Sequence, residues 1–169
     1  MASQTPKELF DLSVKSNKAK DFTQAKKYFE KACNLNYAKG CVSLVGLYEG
    51  ENLVIGENPS EKLVKERLKK AAQYYSKACD LKNDFGCSTL GAMQYIGKGV
   101  VKNEKQAAEK FEKACQLGHK EACEMVTYKG LCELGHKEAC EIFSLEVLCK
   151  LSDLKACDLS YDKKKALGF

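Results

Sequence analysis

The 169-residue sequence predicts an all-α protein made of repeated helix pairs, because three features recur along it. Ten cysteines fall into five pairs whose members are eight residues apart. A segment ending in Ala-Cys-x-Leu occurs three times, at residues 28–35, 74–81 and 110–117. Apolar residues around these segments repeat at intervals of three and four, which is the period of one helix face. Together these features predict helices joined by short corners.

Capping sequences predict where the first two helices begin. Thr5 is followed by proline and then, three residues on, by Glu8. Asp21 likewise has Gln24 three residues later. In both arrangements a short side-chain oxygen accepts a hydrogen bond from a backbone NH that the first helical turn leaves free. The apolar face of the second helix is then Phe22, Ala25, Phe29, Ala32 and Cys33.

The middle of the chain contains an insertion. Cys33 and Cys79 are 46 residues apart, whereas Cys79 and Cys115 are 36 apart. The extra residues fall around 51–59, and we predict a loop there that ends at Pro59 and Ser60, where the next helix starts. A later capping sequence, Asn103 to Gln106, begins the helix whose apolar face is Ala107, Ala108, Phe111, Ala114 and Cys115.

Each cysteine pair brackets a corner between two helices. The pairs are Cys33 with Cys41, Cys79 with Cys87, Cys115 with Cys123, Cys132 with Cys140, and Cys149 with Cys157, and Gly or Ala precedes every second member. Eight residues within one straight helix would separate the sulfurs by about 12 Å, beyond bonding distance. We therefore predict that the chain turns between the two cysteines and that each pair is a disulfide.

After Cys115 the repeat shortens. First cysteines recur every 17 residues, which leaves room for one helix and one corner. Cys123 and Cys132 then share a helix, as do Cys140 and Cys149, and nine residues place the two sulfurs on opposite sides of it. We predict one repeat domain over residues 1–169, with full helix pairs over about 5–122 and single clipped helices over about 123–169.

Composition excludes several function classes. The net charge of +5 comes from lysines dispersed among glutamates, so no clustered phosphate-binding surface is predicted and nucleic acid is not an expected partner. No stretch is long and apolar enough for a membrane span, and the first residues have no apolar signal core. A reducing cytosol would keep all ten cysteines as free thiols. We therefore expect the mature form of a secreted or periplasmic protein.

The repeated text resembles the Helicobacter cysteine-rich proteins, secreted members of the Sel-like repeat class that is related to the tetratricopeptide repeat. The resemblance lies in residues 20–33, 90–99 and 103–107 together with the cysteines that flank them. It implies an α/α solenoid, a right-handed superhelix of antiparallel helix pairs with disulfide-clipped corners. It also implies export and, from some relatives, slow hydrolysis of β-lactams. Val45 departs from the pattern because a glycine is expected after Leu44.

Candidate catalytic and metal-binding residues are few. A serine β-lactamase needs a serine with lysine three residues on, and Ser152 with Lys155 fits, but the supporting Ser-Asp-Asn and Lys-Thr-Gly elements do not occur. We interpret this match as chance. Soft metal ligands recur as Cys115, His119, Cys123 and as Cys132, His136, Cys140. Their spacing is not that of zinc sites, so we predict disulfide corners, no metal and no cofactor.

The aromatic side chains are assigned mainly to the core rather than to a ligand platform. They are Tyr28, Phe29, Tyr74, Tyr75, Tyr95 and Phe111. The predicted function is an exported, monomeric scaffold that binds a protein or peptide on its concave face. A weak β-lactamase or penicillin-binding protein is the alternative, and a cytosolic redox or metal protein with reduced thiols is the third class.

Overall fold

The computed structural model describes the backbone of residues 3–55 and 60–168, and the side chains of residues 3–49 and 60–168. Every regular element in these ranges is a helix, so the all-α prediction is confirmed. None of these helices is long and apolar enough to cross a membrane. In chain order the helices are α1 (Pro6–Lys18), α2 (Phe22–Asn34), α3 (Ala38–Ile55), α4 (Glu61–Asp80), α5 (Asp84–Ile96), α6 (Glu104–Gln116), α7 (Lys120–Glu133), α8 (Lys137–Lys150) and α9 (Leu154–Ala166).

The chain forms two compact units, Met1–Gly86 and Cys87–Phe169. In the first unit α1 packs on α2, α2 on α3 and α3 on α4. In the second unit α6 packs on α7, α7 on α8 and α8 on α9. In each unit, therefore, helices that follow one another in sequence pack on one another.

The predicted helix starts are confirmed. The Thr5 hydroxyl accepts from the backbone NH of Glu8 at 3.1 Å, and the Glu8 carboxylate accepts from the NH of Thr5 at 3.4 Å. Asp21 accepts from the NH of Gln24 at 3.1 Å. Asn103 does the same for the start of α6. These side chains satisfy donors that have no partner inside the helix.

The predicted loop at 51–59 is wrong for residues 51–55. Helix α3 continues to Ile55, and α4 begins at Glu61 with Ser60 as its N-cap. The sequence has no proline or glycine at 51–55, so nothing there stops a helix. Part of the extra length therefore extends a helix, and the rest of the predicted loop, residues 56–59, lies outside the described residues.

The core of the first unit lies between α1, α2 and α3. Ala25, Phe29 and Leu44 are buried together, and Phe10 packs against them. The rings of Phe10 and Phe29 have centroids 5.6 Å apart. Aromatic contact of this kind adds to the stabilisation from burying apolar area. Phe29, as predicted, is a core residue.

The core of the second unit is centred on Phe111. This side chain is 1% exposed and meets the ring of Phe143 edge-on, with centroids 5.9 Å apart. Met125 and Ile142, from α7 and α8, are buried in the same cluster. Helices α7 and α8 are therefore packed with α6 on one shared apolar centre.

Small residues allow the helices at a corner to approach closely. A Cβ on Gly40 would lie 3.0 Å from the Cβ of Ala32, and one on Gly86 would lie 2.8 Å from the Cβ of Ala78. Both distances are too short for ordinary contact, so the backbones meet where only glycine fits without movement. This explains the glycine before the second cysteine in the first two corners, whereas the other three corners have a buried alanine there.

Candidate functional site

The cysteines lie at the corners and are oxidised. The S–S distances are 2.06 Å for Cys33–Cys41, 1.95 Å for Cys115–Cys123, 1.96 Å for Cys132–Cys140 and 1.96 Å for Cys149–Cys157. Cys79 and Cys87 are also disulfide-bonded, and none of the ten cysteines, all of which the structure describes, is free. No thiolate is therefore present to act as a nucleophile or a metal ligand.

A positive φ angle recurs at the same place in every corner, three residues after the first cysteine. The residues and angles are Asn36 (67°), Lys82 (65°), Gly118 (94°), Gly135 (95°) and Ser152 (72°). This left-handed residue ends the helix because the NH groups that follow can turn back to the last carbonyls. The Tyr37 NH, for example, donates to the Ala32 carbonyl at 3.0 Å.

Ser152 therefore has a structural explanation. It occupies the left-handed position of its corner, where the other corners have glycine, asparagine or lysine. The next residue, Asp153, caps α9 by accepting from the NH of Ala156 at 3.1 Å. These contacts explain the Ser-Asp sequence as a turn followed by a helix cap, and the explanation requires no catalytic role.

The two histidines of the Cys-His-Cys pattern precede α7 and α8. His136 is exposed, whereas His119 is half-buried. The Nζ of Lys150 lies 2.8 Å from Nε2 of His119, and 3.6 Å from the carboxylate of Glu121. Because an ammonium can only donate, Nε2 of His119 is the acceptor and its lone pair is used. The cysteines of the His119 corner, Cys115 and Cys123, form a disulfide, and the hydrogen bond from Lys150 joins this corner to α8.

A pocket of about 390 Å³ lies between α2, α3 and α4 in the first unit. We call it the Tyr48 pocket. Its lining residues are Lys26, Val45, Tyr48, Glu49, Leu63, Val64, Glu66, Arg67, Leu68, Lys70 and Ala71. Val45, the residue that departs from the repeat pattern, is buried here. The volume is in the range of sites that hold small molecules or a few side chains.

Two ammonium groups face the ring of Tyr48. The Nζ of Lys26 lies 4.3 Å from the ring centroid, and that of Lys70 lies 5.5 Å from it. Arg67 is the third cation of the pocket, and its Nη1 is buried with no hydrogen-bond partner among the described residues. None of the three cations forms an ion pair within the part of the chain whose side chains are described.

The predicted core aromatics divide into two groups. Phe29, Tyr75 and Phe111 are buried, whereas Tyr28, Tyr74 and Tyr95 are half-buried. Burial, followed by the charge of Glu49, raises the pKa of the Tyr75 phenol well above its usual range. Tyr75 is therefore neutral at physiological pH. The ring at the centre of the pocket, Tyr48, was not among the predicted aromatics.

A second polar cluster, the Lys164 cluster, links three helices of the second unit. The Nζ of Lys164 lies 2.7 Å from the Glu146 carboxylate and 3.3 Å from that of Glu124. The hydroxyl of Ser160 donates to the Glu146 carboxylate. Serine, carboxylate and ammonium could support nucleophilic catalysis, but Ser160 is fully buried. A substrate carbonyl cannot reach it in this conformation, so the cluster ties α7, α8 and α9 together.

We expect Lys164→Met to lower the free energy of unfolding by about 1 kcal/mol at neutral pH, because the Glu146 carboxylate loses a partner and the site is partly screened by solvent. Burial lowers the pKa of Lys164, but the hydrogen bonds and charges of Glu146 and Glu124 outweigh it and the pKa is raised. Because the pKa of Lys164 is higher in the folded state, its ammonium stabilises the fold at pH values below the unfolded pKa of about 10.4. This stabilisation is lost as the pH rises through the folded pKa.

Urea unfolding at pH 7 and at about pH 11 measures how much less stable the Lys164→Met variant is than the unmodified chain. This loss of stability should be smaller at the higher pH. Lys165→Met is the matched control, since the neighbouring Lys165 is exposed. Equal stability of the two variants at pH 7 would contradict the assigned role of Lys164.

Comparison with known proteins shows repeats in the first two thirds of the chain. The model of the Sel1 repeat matches residues 16–37, 65–83 and 86–119. The matched segments contain the first cysteine of three corners, namely Cys33, Cys79 and Cys115.

Curated relatives come from Helicobacter pylori. HcpC, named as a candidate beta-lactamase, is 65% identical over 48 residues, which are 28% of this chain and 17% of HcpC. HcpA, named as a beta-lactamase, is 44% identical over 73 residues, which are 43% of this chain and 25% of HcpA. The matched part is thus a quarter or less of each of these relatives.

Two solved structures are similar. Helicobacter pylori cysteine rich protein B is 51% identical, with 60% of this chain and 68% of that chain covered and a TM-score of 0.49. A Sel1 repeat protein from Oxalobacter formigenes is 18% identical, with 89% of this chain and 60% of that chain covered and a TM-score of 0.57. The second match shows a shared fold.

Proposed function

The chain belongs to the Sel1-repeat proteins related to the Helicobacter cysteine-rich proteins, and from that premise we propose that it is an exported scaffold that binds a protein or peptide partner. One observation carries the proposal. The Tyr48 pocket combines exposed apolar side chains with three cations that have no carboxylate partner among the described residues. Such a pocket is suited to receiving side chains of another molecule.

The disulfides support a site of action outside the cytoplasm. Bonded cysteines persist in oxidising compartments and are rare in the cytosol, and every cysteine here is bonded. The relatives HcpC and HcpA come from the bacterium Helicobacter pylori. We propose a secreted or periplasmic protein that acts as a monomer.

Rigid corners favour a binding function, which requires no catalytic residue. A surface that is held in place before a partner arrives loses less conformational freedom when the complex forms. The disulfides fix neighbouring helices at their ends, where the pocket-forming helices α2 and α3 are joined by Cys33–Cys41. The binding surface is therefore held by covalent bonds.

A weak β-lactam hydrolase is the alternative, and the names of HcpA and HcpC are its basis. Hydrolysis through a serine requires a hydroxyl that the substrate can reach and a base beside it. Ser160 has the neighbours but is buried, and Ser152 forms a turn. These placements favour the scaffold over the hydrolase.

A chromogenic cephalosporin assay and a selection from a random peptide library test the proposal together. We expect no turnover above that of the reduced and alkylated protein, and enriched peptides that bind the oxidised protein and are lost on reduction. Turnover that survives Ser152→Ala but disappears on reduction would favour the hydrolase. A library that yields no binder would contradict the scaffold.

A further inference from the structure

We propose that the Tyr48 pocket binds an acidic peptide segment, in which carboxylate side chains alternate with apolar ones. This assignment rests on the proposed scaffold function and specifies its ligand chemistry. The carboxylates would be received by Lys26, Arg67 and Lys70. The apolar side chains would lie against α4.

Positive charge is concentrated around the ring of Tyr48. Two ammonium groups share the ring of Tyr48, at 4.3 and 5.5 Å from its centroid. An aromatic face attracts each cation, but the two cations repel each other. A bound carboxylate would relieve that repulsion. Glu66 also lines the pocket, yet it forms no ion pair with these lysines within the described side chains.

Arg67 has a buried nitrogen that is unsatisfied within the described side chains. Buried polar atoms in proteins nearly always have a hydrogen-bond partner, whereas Nη1 of Arg67 has none among the residues whose side chains are placed. A guanidinium pairs best with a planar anion that accepts two hydrogen bonds, and a carboxylate has that geometry. Arg67 lines the pocket, so a small rotation of its side chain would present it to a carboxylate there.

The apolar wall of the pocket favours a peptide over a free anion. Leu63 and Val64 on α4 are each 37% exposed and line the same pocket as the cations. Inorganic phosphate would leave this apolar area in water. A peptide with apolar side chains between its carboxylates would cover it. The volume of about 390 Å³ suits a few side chains and not a folded domain.

Fluorescence polarisation with two labelled, amidated peptides tests the proposal. One alternates glutamate and leucine, and the other has glutamine in place of each glutamate. We expect the acidic peptide to bind about tenfold or more tightly than the neutral one, with an affinity that falls as salt is added. Arg67→Met should reduce the affinity for the acidic peptide about tenfold or more.

The same variants separate binding from folding. Arg67→Met should keep or raise the melting temperature, because methionine fills the space without an unsatisfied donor. Lys69→Met is the matched control, since Lys69 is exposed on α4 and does not line the pocket. We expect that control to bind the acidic peptide as the unmodified chain does. Lys26→Met, on a different helix, should weaken binding as well.

Several outcomes would overturn the assignment. Equal affinity for the neutral peptide, equal loss in the Lys69→Met control, or no effect of Arg67→Met each contradicts acidic recognition in this pocket. If library-selected peptides bind while the acidic probe does not, the assignment of this pocket fails and the scaffold stands. If neither class of peptide binds, both proposals fail.

Discussion

Reduction of the disulfides is expected to abolish the cooperative unfolding transition of this protein. Closing a ring of about nine residues stabilises a fold by roughly 2.5 kcal/mol in the chain-entropy model, so five rings give on the order of 10 kcal/mol. That is comparable with the whole stability of a typical domain. Helices α7 to α9 have 14, 14 and 13 residues, and isolated helices of this length are marginal in water.

Circular dichroism during urea titration, with and without reductant, measures this effect. Intact mass under non-reducing conditions first checks that the protein is fully oxidised, because full oxidation of ten cysteines removes ten hydrogens. The variant with both Cys132→Ala and Cys140→Ala removes one bridge without reductant and should cost about 2–3 kcal/mol. A reduced protein that keeps its midpoint in urea would show that apolar packing alone holds the helices.

Phe111→Ala is expected to destabilise the second unit by about 3–5 kcal/mol, which is typical when a buried aromatic side chain is removed from a core. Phe111 is 1% exposed, and its ring edge lies so near Gly91 that a Cβ there would be 3.0 Å from it. Loss of the ring leaves a cavity between α5, α6 and α8, and Phe143 loses its edge-on neighbour.

The midpoint of urea unfolding measures this loss, and Phe22→Ala is the matched control. Phe22 stands in the first turn of α2 and is 36% exposed, so its removal should cost about 1 kcal/mol or less. If the two variants lose stability equally, Phe111 is not the centre of its core.

Local features of the fold could be predicted because each depends on residues close together in the sequence. Thr5 caps a helix through Glu8, three residues away, and the capping rule needs no knowledge of the rest of the chain. The end of α3 was less predictable. The run at 51–55 contains polar and apolar residues and no helix breaker, so local propensity allows either a loop or a helix.

The candidate sites could not be predicted in the same way. Lys26, Tyr48 and Arg67 come from three helices, and their meeting depends on how those helices pack. Ser160 and Lys164 are four residues apart and share a helix, but their partner Glu146 is on another. Lys164 stands in sequence between Lys163 and Lys165, and only the packing of the helices shows that its ammonium bridges Glu124 and Glu146.

The left-handed residue three positions after each first cysteine makes the corner a candidate for transplantation into designed proteins. The residues that form the corner lie in one short stretch: a cysteine, a residue that tolerates positive φ, a small residue and a second cysteine. Gly118 and Gly135 take this conformation without strain, whereas Ser152 does not. A designer who copies the motif should therefore choose glycine at the turn and alanine or glycine before the second sulfur.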